Sequence, residues 1–168
     1  NAIYDRTSCI MLSGETAMGD YPLDCVNAMV KIAKSVEPTI NYWKRFTKKD
    51  WNVAEADIES HAAYTTCVTA RDIKADAIID YTHTGNSARR LAGYGAACPI
   101  FAITDSEKVY NQLGPVWNVY PVLVKDGADI DDTIEKGVAK LIELGNLEEG
   151  DTAVLCGGPQ IMSKEKSK

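Results

Sequence analysis

The five cysteines, Cys9, Cys25, Cys67, Cys98 and Cys156, contain no CxxC pair, and no zinc-type spacing joins them to the two histidines. That excludes the common structural metal frameworks. Scattered within apolar runs, the thiols read as buried and reduced. Positive charge is also scarce, with 18 Lys and Arg against 24 Asp and Glu and a formal net charge of -6. Nucleic acids and anionic membrane surfaces need a positive face to meet their phosphates, so both drop out as partners. The short basic tail from Lys164 to Lys168 reads as solvated. No apolar run approaches the roughly 20 residues of a membrane span and no signal-peptide pattern precedes the first strand, so a cytoplasmic setting is expected. Gly157-Gly158-Pro159 is not a P-loop, because no Lys-Ser/Thr follows it.

What the chain does have is 168 residues with 45% apolar content, enough for one compact domain and an appendage. A strand is expected at about Ser8 to Leu12, followed by a turn rich in Gly, Glu and Thr. A helix from about Pro22 to Tyr42 comes next, with Asp20 as cap and Pro22 in the first turn, where its missing N–H costs nothing. Val26, Met29, Val30 and Ala33 give that helix an apolar stripe. The charged stretch 44–52 marks a boundary, dividing the chain into 1–48 and 49–168.

Beyond the boundary, strands and helices alternate. A helix is expected over Ile58 to Ile73 and a buried strand over Ala77 to Tyr81. Further strands fall at Ile100 to Thr104, Val119 to Val124 and Thr152 to Cys156. Helices fall at about Ser87 to Tyr94, Ser106 to Leu113 and Asp132 to Leu144, closed near Gly95, Gly114-Pro115 and Gly145. Such alternation implies a mainly parallel sheet covered on both faces, because each parallel connection must cross over.

The segment Thr82-His83-Thr84-Gly85-Asn86-Ser87 lies between a strand and a helix start. Three hydroxyls, a flexible glycine and a helix N-terminus converge there, a pattern that suits an oxyanion. An ordinary capped helix start has the same composition. His61 reads as a helix-surface or packing residue, since no nucleophile motif accompanies it. Asp129, Asp131 and Asp132 lack calcium-loop spacing and are explained by the helix dipole. Trp43, Trp51 and Trp117 suit core or interface packing.

The run Cys9-Ile10-Met11-Leu12-Ser13-Gly14-Glu15-Thr16-Ala17, followed by Gly19-Asp20-Tyr21-Pro22, resembles the last strand and loop of the catalytic barrel of pyruvate kinases. The likeness continues to about Gly158. It implies a C-terminal part of such an enzyme: a β/α remnant of a TIM barrel, then a three-layer α/β/α regulatory domain whose final antiparallel strand this sequence shows poorly. The parent would transfer phosphate from phosphoenolpyruvate to ADP with magnesium and usually potassium. Its essential lysine, metal carboxylates and potassium site belong to earlier barrel segments, so no catalytic residue, cofactor or metal is expected in this chain. Ser13 and Glu15 would sit at the barrel rim in a supporting role; turn and helix-entry chemistry accounts for them equally.

The same resemblance makes Thr82, Thr84, Gly85, Asn86 and Ser87 the phosphate loop for an allosteric sugar phosphate or nucleotide. Many family members carry Lys at the place of His83 and Arg at the place of Asn86. The weaker fixed charge here favours a singly phosphorylated effector. The second wall of that site would come from the region of Cys156-Gly157-Gly158-Pro159-Gln160, which is short. The implied partners are the phosphorylated effector, the remainder of the barrel and further copies of the chain. Two other readings stay open: a free-standing phosphate-ligand module and a structural oligomerisation domain.

Overall fold

A computed structural model describes residues 1–46 and 58–157. The expected boundary between positions 48 and 49 lies outside the described residues, as do the stretch from Gly158 onward and Trp51.

The C-terminal body is built on four parallel strands, β1 (Ala77–Tyr81), β2 (Ile100–Thr104), β3 (Val119–Leu123) and β4 (Ala153–Gly157), in the order β3-β2-β1-β4. β1 pairs with β2 through Ile78–Ile100 and with β4 through Ala77–Ala153. Helix α4 (Ile58–Ile73) buries Ala63, Cys67 and Ala70, a spacing that lines one helical face with small side chains. α4 lies on one face of the sheet with α5 (Asn86–Tyr94) and α6 (Glu107–Leu113), over a core that includes Ile78, Leu91, Ile100 and Leu113. On the other face, α7 (Ile130–Glu143) covers Ile79, Phe101, Ile103 and Val122 with Leu141. This is the three-layer α/β/α arrangement that the alternation of elements implied. α5 and α6 carry the chain outward from β1 to β3, and α7 returns it across the opposite face to β4. The strand order therefore reverses beside β1.

Local chemistry sets the helix ends. Asp129 caps α7 by accepting from the Asp132 amide at 2.8 Å, and Ser106 caps α6 by accepting from the Val109 amide at 3.4 Å. α5 closes at Gly95, whose φ of 72° allows the left-handed turn.

The N-terminal segment corrects four expectations. Residues 8 to 12 form no strand, because an isolated extended segment has no neighbouring N–H and C=O groups to pair with, and the sheet order leaves it none. The helix expected to reach Tyr42 is α2 (Pro22–Val36); it follows a short α1 (Gly14–Ala17). Pro38 offers no amide hydrogen, so the ladder gives way to a 3-10 turn at Glu37–Thr39, then to α3 (Tyr42–Arg45). The N-cap of α2 is Tyr21 without a side-chain bond, in place of the expected Asp20. Its inward face is Cys25, Met29, Ala33 and Val36, all half-buried, while Val26 and Val30 are exposed.

Residues 1–46 dock on the α/β body along a seam. Arg6 donates to the Tyr94 carbonyl at 3.1 Å, and the Ser8 hydroxyl accepts from the Trp117 amide at 3.1 Å. The Tyr42 and Trp117 rings lie 5.2 Å apart, and Phe46 stacks on Tyr64 at 5.6 Å.

Candidate functional site

β1 is almost wholly buried, and its polypeptide leaves the sheet at Thr82, whose amide donates to the Ile103 carbonyl at 2.9 Å. The Thr82 side chain is buried too, and its hydroxyl oxygen accepts from the Gly85 amide at 2.9 Å. That bond folds 82–85 into a tight turn and delivers Gly85 as the N-cap of α5 with φ 79°. Glycine is required there on two counts. The left-handed backbone disfavours a side chain, and an added Cβ would lie 2.8 Å from the Arg89 guanidinium and 3.2 Å from Leu113 and Val109 carbons.

The other expected residues follow along this turn. Thr84 and Asn86 are exposed, and the Asn86 amide points at the Thr84 hydroxyl oxygen over a long 3.5 Å. Ser87 is half-buried and turns inward, donating to Asp80 Oδ2 at 2.8 Å. The structure thus brings Thr82, Thr84, Gly85, Asn86 and Ser87 into one turn at the C-terminal end of β1. That is the place where the strand order reverses and where open α/β sheets hold ligands.

Three further groups shape this mouth. Arg89 donates to the Thr84 carbonyl at 3.3 Å, which sets a guanidinium beside the turn. His83 Nδ1 is 2.8 Å from Asp105 Oδ1 across the C-terminal ends of β1 and β2. Beneath the turn, Asp80 is fully buried. Its carboxyl is pushed up to about 7 because burial penalises the charged form, with the Ser87 hydrogen bond acting in the opposite direction. Reading the sequence for hydroxyls and glycine overlooked Arg89 and Asp80. The available signals were an arginine four residues past the cap glycine and a carboxylate inside the apolar run Ala77-Ile78-Ile79.

Ser13 and Glu15 lie apart from this turn. The Ser13 amide donates to Glu15 Oε2 at 2.9 Å, and backbone hydrogen bonds hold the Glu15 carboxyl below its ordinary range. The Glu15 carboxylate is thereby engaged at the entry to α1, while the Ser13 side chain makes no capping hydrogen bond there. Among the described residues, no group of three or more His, Cys, Asp or Glu could hold a metal ion. Asp129 and Asp132 are already occupied, the latter by the Ala128 amide at 2.7 Å and by Lys136 at 3.0 Å. No chemistry in this chain is routed through the magnesium and potassium that the resemblance attaches to the parent enzyme. All five cysteines are free, and burial pushes Cys67 up to about 12 and Cys98 to about 11, which keeps both as thiols.

The fold and the turn define a three-layer parallel α/β domain with a polar, glycine-capped loop at its switch point. A family profile described as "Pyruvate kinase, alpha/beta domain" matches residues 60–167. The chain belongs to the pyruvate kinase family. Pyruvate kinase of Clostridium acetobutylicum is 39% identical over 158 residues, covering 94% of this chain and 33% of the relative. That of Sporosarcina psychrophila is 36% identical over 162 residues, covering 94% and 27%. The crystal structure of Cryptosporidium parvum pyruvate kinase aligns with a TM-score of 0.80 at 29% identity, over 94% of this chain and 33% of that one. A complex of that enzyme with ADP aligns with a TM-score of 0.76 at 29% identity, over 95% and 32%. The chain spans 33% and 27% of the length of the two bacterial relatives.

Proposed function

We propose that this chain supplies effector binding and subunit contacts to a pyruvate kinase, an enzyme that passes a phosphoryl group from phosphoenolpyruvate to ADP in glycolysis. The observation that carries the reading is the 82–87 turn, with its hydroxyls, left-handed glycine and helix start at the switch point of a parallel sheet. A phosphate placed there meets the positive end of α5, the Thr84 hydroxyl and the nearby Arg89 guanidinium. The chain by itself is proposed to be catalytically inactive, its parent's magnesium and potassium being held by residues outside it. Its proposed setting is the cytoplasm; among the described residues no helix is long and apolar enough to cross a membrane.

The test is calorimetry of the 168-residue chain against a panel of sugar monophosphates and nucleoside monophosphates. Thr84→Val keeps the shape of an exposed side chain and removes one donor. Hydrogen bonds to charged groups contribute about 1.5–3 kcal/mol, so affinity for the tightest ligand should fall roughly ten- to a hundredfold. Unchanged affinity would move the ligand elsewhere and leave the turn as a helix cap.

A further inference from the structure

Asp80 occupies the middle of a buried strand, with Ala102 of β2 and Cys156 of β4 as its register partners. Its Oδ2 accepts from Ser87, while its Oδ1 is buried with no hydrogen-bond partner among the described residues. Among the described residues, no cation is found to act on its carboxyl. The sheet neighbours offer only Ala102 and the neutral Cys156 thiol, itself pushed up by burial, and α5 offers the Ser87 hydroxyl. α4 contributes Thr66, which bonds Cys156, and the neutral Cys67. At the mouth above lie His83 with Asp105, and Arg89 against Thr84. A lone buried carboxylate with an empty oxygen is costly, and buried polar groups of this kind call for an explanation.

Ser87 supplies one. Its hydroxyl has a single proton. While Asp80 is ionised it can only accept, so that proton is committed inward to Oδ2. Once Asp80 carries a proton of its own, the hydrogen bond reverses: the carboxylic acid donates to Ser87 Oγ, and the serine proton becomes available to a group at the mouth of the turn. The negative charge beneath the start of α5 disappears in the same step. We propose that Asp80 is a positioning residue acting through Ser87, which must take up one proton before the 82–87 turn holds an oxyanion at full strength. This rests on the reading of the turn as an anion site and assigns that site its proton linkage. Burial already brings the Asp80 carboxyl to about 7, close enough to neutrality for the linkage to operate.

Inorganic sulfate is the probe, because it stays a dianion from pH 6 to 8 and contributes no titration. Its dissociation constant is read from the amide NMR signals of Gly85, Asn86 and Ser87 in the full chain. If only the protonated form binds, the wild-type constant rises about tenfold between pH 6 and pH 8. His83→Gln should keep that rise, which separates Asp80 from the exposed histidine at the mouth. Asp80→Asn should abolish it while binding as the wild type does at pH 6, because the amide donates to Ser87 permanently. The carboxyl carbon signal of Asp80 in the unaltered protein gives a measure independent of any variant, and its titration midpoint should rise with sulfate present. A flat wild-type profile, an unmoved midpoint, or a rise that survives Asp80→Asn would overturn the proposal and leave the anion site standing. Failure of sulfate to shift these amides at pH 6 would overturn both.

Discussion

Asp80 couples the stability of the chain to pH as well as the properties of the turn. Its carboxyl sits near 7 in the fold and in the ordinary carboxylate range when unfolded, so between those limits the folded state binds the extra proton. Its contribution is fully present below about pH 4 and is lost as pH rises through about 7. Asp80→Asn should therefore be more stable than the wild type at pH 8, by on the order of a few kcal/mol, with the gap narrowing toward pH 5. Urea melts at the two pH values check this, and a gap that widens on acidification would refute it. The residue was hidden in the sequence, because Ala77-Ile78-Ile79-Asp80-Tyr81 is apolar enough to be read as a strand whatever its fourth member does. The hydroxyls and glycine of the turn were legible as a strand-to-helix junction, a composition that a plain helix cap shares. Whether Ser87 faces outward or inward was not, because that depends on Asp80, seven residues away in sequence.

Among the elements, the α/β body was legible nearly to the residue. Its strands are short apolar runs and its helices carry their own caps and stops, so local pattern and final packing agree. The N-terminal segment was read less well. Residues 8 to 12 have strand-like composition, yet a strand exists only where another pairs with it. The break at Pro38 was written in the sequence and outweighed there by the apolar periodicity around it. One packing detail no pattern reveals is the approach of α7 to β2. A Cβ at Gly137 would lie 2.5 Å from Ile103 Cδ1 and 2.8 Å from its Cγ1, and Ile103 is fully buried. Overpacking of this kind costs about 1–3 kcal/mol. The better helix propensity of alanine returns about 0.8–1 kcal/mol. Gly137→Ala should thus lower the urea midpoint, and a midpoint at or above the wild type would show that the layers can part without penalty.

For the molecule as a whole, two outcomes follow from the proposed role. The purified chain should form no pyruvate from phosphoenolpyruvate and ADP in a coupled assay; turnover that persists in material cleared of host enzyme would contradict the proposed inactivity. It should also associate. Met11, Met18, Leu23, Val26, Val30 and Ile32 are exposed along the N-terminal segment, and apolar surface gathered in one region seeks a partner. Light scattering is expected to report a dimer or larger species, and a monomer at every accessible concentration would count against it. The seam between this segment and the sheet body has a consequence of a different kind. Trp117 belongs to the body and Tyr42 to the segment, and their rings meet at 5.2 Å and 45°. Aromatic chromophores held at a fixed mutual angle are optically active in the near ultraviolet, whereas helices and strands absorb further down. The body has aromatic pairs of its own, Tyr64–Tyr94 and Phe101–Tyr120, so the near-ultraviolet band that Tyr42→Leu removes is the one that belongs to the seam, and the temperature at which that band vanishes marks the undocking of the segment.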